Sequence, residues 1–167
     1  MRLRPATESD FPELTRIRVA GISSYASFMP EHWEPPDESD PAERGKARML
    51  DPDHWVTVAE HDDGTILGYV AAGPAMKEWS EGERIPGTAY LWMLFVESAQ
   101  QRRGVGRTLQ ESAFEEMQKR GYRRALVRVA AGAEQARRFY AATGWQVTGT
   151  HDDEALGMQT LVAEHPL

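Results

Sequence analysis

A basic stretch with two glycines, Gln101–Arg107, follows a continuous apolar run at residues 90–96 and precedes a segment of helical periodicity. A strand that leads through such a turn into a helix presents unpaired main-chain N–H groups to an anion, and the helix dipole favours negative charge there. Glycine also removes the Cβ atoms that would hold a phosphate away from the backbone. The stretch therefore predicts a site for a diphosphate-bearing ligand, formed by Gln101, Arg102, Arg103, Gly104, Val105, Gly106 and Arg107.

Two common phosphate-binding motifs do not fit this stretch. A Walker P-loop requires Gly-Lys followed by Ser or Thr, which is absent here. A dinucleotide-binding fingerprint requires a third small residue where Leu109 stands and an acidic residue about 20 positions further on, where residues 125–128 read Ala-Leu-Val-Arg. What remains is the pattern Gln-x-x-Gly-x-Gly, which by itself also fits a turn that binds nothing.

A second motif lies further along the chain, where residues 136–145 read Ala-Arg-Arg-Phe-Tyr-Ala-Ala-Thr-Gly-Trp. Together with the glycine loop, the apolar run that ends at residues 94–96 and the opening residues 3–10, this motif resembles the GNAT superfamily of N-acetyltransferases. The resemblance covers nearly the whole chain and is strongest from residue 89 to residue 149. It implies a single GNAT-like acetyltransferase domain over residues 1–167.

The resemblance implies that acetyl-CoA is the co-substrate. Main-chain groups of Leu94, Phe95 and Val96 would pair with the pantetheine arm as an added strand does, and the amides of the glycine loop would hold the pyrophosphate. A gap between the strands at residues 89–96 and 125–129 would admit the arm. The implied reaction is direct acetyl transfer from the thioester to an amine.

Tyr140 lies in the second motif, and the resemblance implies that it is the general acid that protonates the departing CoA thiolate. A phenol suits this task because it stays protonated at neutral pH. The alternative is a core tyrosine that packs beside Phe139 and has no part in the chemistry.

Three positions depart from the patterns of this superfamily. Ala133 stands where the family often has an asparagine that contacts the cofactor, so a hydrogen bond of about 1 kcal/mol is missing. Arg128 stands where the branch that acetylates protein N-termini tends to carry a glutamate base. Tyr90 stands near the glutamate base of histone-acetylating relatives, and tyrosine is a poor base at neutral pH.

Glu31 and His32 are the candidates for the general base, because in this family the acidic segment that contains them borders the acceptor site. His32 has the better intrinsic pKa for the task, and Glu31 would serve if it were partly desolvated. Both residues also suit a solvated loop. A chain of water molecules, or an amine that arrives neutral, would make a side-chain base unnecessary.

The same acidic segment bears on the acceptor. Six Asp and Glu residues lie between residues 31 and 43 with no basic residue among them, a charge that would steer a cationic amine or simply keep a loop soluble. Trp33, Trp79 and Trp92 would line an acceptor pocket or belong to the core. The predicted acceptor is the primary amine of a small molecule. The alternatives are a protein or peptide amine, and a non-catalytic acyl-CoA-binding sensor.

Charge and composition narrow the choice of partners. The net charge is −7, but residues 101–138 carry ten Lys and Arg against four Asp and Glu, a local balance of +6 where a polyanion such as CoA would bind. The acidic remainder argues against nucleic acid. With no cysteine, thiolate metal sites are excluded, and the polar run at residues 151–154 predicts a turn rather than a metal site.

The sequence also predicts where the protein resides. No apolar run of 18 residues is present, so no membrane span is expected. The opening residues lack the apolar core of a signal peptide, which favours a cytoplasmic location. The oligomeric state is left open between a monomer and a homodimer.

The elements that must position these residues follow from periodicity and from turn residues. Asp10 and Asp40 are predicted N-caps of two helices, the second of which ends near Leu50. Residues 74–87 read as irregular. The further predicted elements are strands at 2–6, 55–59, 66–72, 89–96, 125–129, 145–149 and 157–163, and helices at 105–120 and 134–143.

The order of these elements predicts the fold class. The hairpin at residues 55–72 implies antiparallel pairing, and the alternation of strands and helices in the second half implies parallel pairing. The expected fold is therefore α/β, with a mixed, mostly antiparallel central sheet of six to seven strands and helices on both faces.

Overall fold

The computed structural model describes residues 1–35, 46–47, 49–79, 82–154 and 156–167. The start of the predicted helix at Asp40 lies outside the described residues, although residues 46, 47, 49 and 50 are helical. The elements are β1 (Arg2–Pro5), α1 (Phe11–Ser23), β2 (Trp55–Glu60), β3 (Ile66–Met76), β4 (Arg84–Val96), α2 (Val105–Lys119), β5 (Arg124–Ala130), α3 (Glu134–Ala142), β6 (Gln146–Asp153) and β7 (Met158–Pro166).

The strands form one seven-stranded sheet in the order β1-β2-β3-β4-β5-β7-β6. Among the described residues only the β4–β5 pairing is parallel, so the predicted mixed, mostly antiparallel sheet is confirmed. The parallel pairing expected throughout the second half is wrong. β7 lies between β5 and β6 and pairs antiparallel with both, because β6 and β7 form a hairpin that returns to the sheet through its second strand.

Helices cover both faces of the sheet. Val70 of β3 packs against α2, whose buried stripe has the predicted i+4 spacing, whereas its neighbour Tyr69 points to the opposite face and packs against Leu14 and Ile17 of α1. Ala136 and Tyr140 of α3 pack on the α2 side. The stripe of α2 consists of Val105, Leu109, Ala113 and Met117.

The pairing between the central strands β4 and β5 ends about halfway along their length. β4 and β5 pair from Thr88 and Arg124 to Leu91 and Val127, and both strands continue beyond that point. On its other side β4 keeps its pairing with β3 up to Val96. The expected gap between these two strands is therefore present, and it opens toward the loop that precedes α2.

A β-bulge sits where the strands part. Ala71 of β3 faces Met93 and Ala72 faces Leu91, so the register skips Trp92. A bulge can place two successive side chains on one face of a sheet. Here Trp92 packs beside Tyr90, and Met93 packs with the cluster beneath α1, whereas Leu91 packs on the α2 face.

Two sequence predictions about irregular segments are wrong. β3 runs on to Met76 and β4 begins at Arg84, so half of the region 74–87 is strand, with Pro74 at an irregularity of the β3–β4 register where proline is tolerated. The polar run that begins at His151 is not a turn. Its first three residues belong to β6, because pairing with β7 overrides the turn preference of polar residues.

Asp10 precedes α1 as predicted, but its carboxylate does not cap that helix. It accepts two hydrogen bonds from the Arg4 guanidinium, at 2.7 and 2.8 Å, and one from the Thr7 amide at 2.7 Å. Arg4 also reaches Glu60 at 3.0 Å. These contacts join β1, β2 and the start of α1, and the Arg4 hydrogen bond holds the pKa of Asp10 well below its usual range.

We expect Asp10→Asn to lower the Tm at pH 7 by a few degrees and to flatten the fall of Tm in acid. A carboxyl group with a lowered folded-state pKa stabilises the protein above its unfolded pKa of about 4, and that stability is lost as the pH falls toward the folded value. The measurement is thermal unfolding between pH 7 and pH 2.5. Glu8→Gln is the control, because Glu8 is an exposed carboxyl residue of the short 3₁₀ helix Glu8–Asp10, which also contains Asp10. An Asp10→Asn profile as steep as the parent's would contradict this assignment.

Candidate active site

The glycine loop enters α2 through backbone conformations that suit an anion site. Arg102 has a φ of +62° and Gly104 a φ of +88°, both in the left-handed region. The Thr108 amide donates to the Gly104 carbonyl at 3.0 Å, so the amides of residues 105–107 belong to the first turn and have no carbonyl partner within the helix. Residues 101–104 and 107 of the loop are exposed.

The backbone requires glycine at one of the two glycine positions of the loop and not at the other. A side chain at Gly104 would be strained whatever the available space, because of its left-handed backbone. Gly106 lies inside α2, and a Cβ there would make ordinary contacts of 3.6 Å with Phe139 and Val96. The protein itself therefore requires glycine only at residue 104 of this pair.

Gln101 ties the loop to its surroundings. Its Nε2 donates to the Val96 carbonyl at 3.3 Å, and its Oε1 accepts from Gln135 of α3 at 2.9 Å. The side chain thus links the end of β4 to α3 across the mouth of the gap. No pattern in the sequence indicated Gln135, because its role depends on how α3 lies against the loop.

The far end of β4 offers main-chain groups to the gap. Within an antiparallel ladder, successive residues direct their N–H and C=O groups alternately to the two neighbouring strands. Leu94, Phe95 and Val96 pair with β3 on one side only, since the β4–β5 pairing ends at Leu91. Part of their main-chain hydrogen-bonding capacity is therefore directed into the gap, and their pairing with a pantetheine arm stays a prediction.

Tyr140 approaches the gap from the α2 side of the sheet. Its ring lies 5.2 Å from Phe139 and 5.5 Å from Trp145, each in an edge-to-face arrangement. Burial raises the pKa of Tyr140 above its ordinary value, and the phenols of Tyr25 and Tyr90 add to this effect. Tyr90 belongs to β4, and Tyr25 belongs to the short helix Ser24–Ser27 that follows α1.

Arg128 connects several side chains on the face of the sheet opposite to α2 and α3. Its Nε donates to the Tyr90 hydroxyl at 2.9 Å, its Nη1 lies 3.2 Å from a carboxylate oxygen of Asp153, and its guanidinium lies 4.8 Å from the centre of the Trp79 ring. Burial and the charge of Asp153 raise the pKa of Tyr25. Sequence reasoning noted Arg128 and Tyr90 only as departures from other acetyltransferases and missed Asp153, which arrives from β6.

Glu31 and His32 lie in the segment that follows the short helix Ser24–Ser27. Both are exposed in a turn in which the Trp33 amide donates to the Pro30 carbonyl at 2.8 Å. The Trp33 indole donates to the Leu156 carbonyl at 2.9 Å, which holds this turn against the β6–β7 connection. The described contacts bring neither candidate base to Tyr140, and residues 36–45 of the acidic segment lie outside the described residues.

In the described parts of the chain, no group of three His, Cys, Asp or Glu side chains is arranged to hold a metal ion. None of the helices in those parts has the length and apolar character needed to cross a membrane.

Comparison with known proteins gives a family and a set of similar folds. The model of the Acetyltransferase (GNAT) family matches residues 20–145. A search of curated proteins finds no match. Among solved structures, the chain is similar to a GCN5-related N-acetyltransferase from Kribbella flavida, with a TM-score of 0.75 and 22% identity over 99% of this chain and 97% of that one.

Two further solved structures are similar over their whole length. A ribosomal-protein-alanine N-acetyltransferase from Brucella melitensis has a TM-score of 0.71 and 22% identity, with 100% of both chains covered. The PaiA N-acetyltransferase from Thermoplasma acidophilum, in complex with coenzyme A, has a TM-score of 0.72 and 19% identity over 99% of this chain and 98% of that one. At these identities the likeness shows the fold.

We expect Arg128→Met to destabilise the protein by about 1.5–3 kcal/mol, because it removes a charged donor from Tyr90 and from Asp153, whose side chain is 12% exposed. The measurement is urea unfolding at pH 7. The control is Arg138→Met, which breaks an exposed ion pair with Glu134 and should cost less than about 1 kcal/mol. Equal losses in the two variants would show that Arg128 is not a structural centre of this group of side chains.

Proposed function

Because the chain belongs to the Acetyltransferase (GNAT) family, we propose that it transfers the acetyl group of acetyl-CoA directly to the primary amine of a small molecule. The observation that carries the proposal is the parting of β4 and β5 after Leu91 and Val127. An extended thioester arm that enters this gap would satisfy main-chain groups of Leu94, Phe95 and Val96, as an added strand does.

The loop before α2 would hold the diphosphate end of the same molecule. The first-turn amides and the α2 dipole favour an anion, and Arg102, Arg103 and Arg107 add positive charge at the exposed surface. Gln101 would act mainly by fixing the loop, since its amide is already bonded to Val96 and Gln135. The absence of an asparagine at Ala133 removes one further contact, not the cradle itself.

The chemical step then requires a proton at sulfur. The amine nitrogen attacks the thioester carbonyl, the carbon–sulfur bond breaks, and the thiolate takes a proton from the Tyr140 hydroxyl, which then regains a proton from solvent. Burial keeps that hydroxyl protonated across the neutral range. The amine gives up its own proton to water, or to a base for which Glu31 and His32 stay as proposals.

A small acceptor is favoured by the way the acceptor side is covered. Phe28 packs so closely on Gly132 that a Cβ there would lie 2.3 Å from its ring, and Trp33 bonds to Leu156. The segment from residue 24 to residue 33 therefore runs from the β5–α3 connection to the β6–β7 connection. This arrangement narrows access for a folded protein substrate.

The test combines binding and turnover. Calorimetry with acetyl-CoA and with CoA should detect binding, and a panel of amines should release free CoA thiol, which is readily measured because the protein has no cysteine. Release with peptide amines alone would favour the protein acceptor. Binding without release for any amine would favour the acyl-CoA sensor, and no binding at all would refute the proposal.

We expect Tyr140→Phe to lower kcat by about 10²-fold with little change in the KM for acetyl-CoA, because it removes the acid and keeps the ring. Tyr122→Phe is the control, since burial also raises the pKa of Tyr122 but that residue packs against Trp55 away from the gap. Because the pKa of Tyr140 is raised, loss of its proton should not lower kcat at any pH below 9. Unchanged turnover in Tyr140→Phe would remove the residue from the mechanism.

We expect Gly104→Ala to weaken CoA binding by about tenfold, because a residue with a Cβ resists the left-handed backbone that aims the loop amides. Gly106→Ala is the matched control, with a helical backbone and ordinary contacts for the added methyl group. Calorimetric titration with CoA measures both. Equal affinity in the two variants would separate the loop conformation from diphosphate binding.

A further inference from the structure

A cavity of about 50 Å³ lies between α1 and the sheet face formed by β2, β3 and β4. Its described lining is mostly aliphatic, aromatic and thioether, with Phe11 and Leu14 from α1, Tyr69 from β3, and Met49. A cavity with such walls has little to offer water, so it is a place for an apolar group.

The cavity adjoins the proposed reaction centre through the β-bulge of β4. Trp92 and Met93 both line it, and they are the first residues of β4 beyond the last β4–β5 pair at Leu91. The Trp92 ring lies 4.5 Å from the Tyr90 ring, and the Tyr90 hydroxyl accepts a hydrogen bond from Arg128 of β5, the strand on the other side of the gap. The cavity therefore begins where the gap begins, on the face opposite to α2 and α3.

The charged groups in the lining favour some classes of amine acceptor over others. No described residue of the lining carries a carboxylate, and its ionisable groups of basic type are Arg18, which is 8% exposed, and His54. A second ammonium group of a polyamine would find no carboxylate among the described residues of this lining, and burial of a charge without a counter-charge is strongly unfavourable. The described lining therefore favours an acceptor with one ammonium group.

We propose that the acceptor is a monoamine with a single apolar substituent, aryl or branched alkyl, that lodges in this cavity while its amino group reaches the gap. The inference rests on the proposed function and names the substrate class of that site. Burial of such a substituent strengthens binding by roughly tenfold or more for a few carbon atoms.

The first test compares acceptors in the CoA-thiol release assay. The value of kcat/KM should be at least about tenfold higher for 2-phenylethylamine than for n-propylamine or spermidine. Equal or better turnover of spermidine would overturn the inference and leave acetyl transfer intact. If no amine is turned over although CoA binds, the proposed function fails, and calorimetric titration of 2-phenylethylamine into the CoA complex decides: saturable binding supports the cavity assignment, and its absence overturns it.

The second test fills the cavity. Ala71→Leu places a larger side chain in it from β3, and we expect the KM, or the Kd in calorimetry, for 2-phenylethylamine to rise about tenfold while the KM for n-propylamine and the affinity for CoA stay unchanged. Thr15→Leu fills it from α1 and serves if Ala71→Leu does not fold. Ala20→Leu, on the exposed side of α1, is the control. An unaltered constant for 2-phenylethylamine in a folded cavity variant would overturn the inference.

Discussion

Main-chain hydrogen-bonding groups in the middle of a sheet are almost always paired, because an unpaired buried N–H or C=O is costly. In this protein β4 and β5 leave such groups open beyond Leu91 and Val127. The open edge is tolerated because β3 holds β4 up to Val96, β7 holds β5 along its length, and α2 packs beneath. The proposed binding of an extended acyl carrier follows from this stretch of β4 that β5 does not pair, in which the Val96 carbonyl already accepts from Gln101.

The features around the gap can be understood as supports for that arrangement. The bulge at Trp92 turns β4 away from β5, and Gln101 fastens the end of β4 to the loop and to α3. On the far side Arg128 fastens β5 to β6 through Asp153 and to β4 through Tyr90. These contacts hold β4 and β5 each to its neighbouring elements, and a preorganised site loses less entropy on binding.

The two faces of the sheet would have different roles in the proposed acetyl transfer. The α2 face supplies the anion site at the loop and the protonated phenol of Tyr140, which are the groups that an acyl-CoA thioester and its leaving thiolate need. The α1 face supplies aromatic walls, the Arg128–Asp153 pair and the apolar cavity, which are the groups that an acceptor would meet. Because the two substrates would approach the gap from opposite faces, their carbonyl carbon and amine nitrogen would meet in it without a covalent enzyme intermediate.

The features that could be predicted from the sequence alone are local ones. The glycine loop, the buried stripe of α2 and the helix of Tyr140 depend on residue types at short spacing, so backbone preference and periodicity were enough to place them. Tertiary structure alone decided the insertion of β7 between β5 and β6, the bulge at Trp92, the link from Arg128 to Asp153 and the cavity beneath α1. These features join residues that are far apart in the chain, and they follow from strand register and side-chain packing, which no short stretch of sequence encodes.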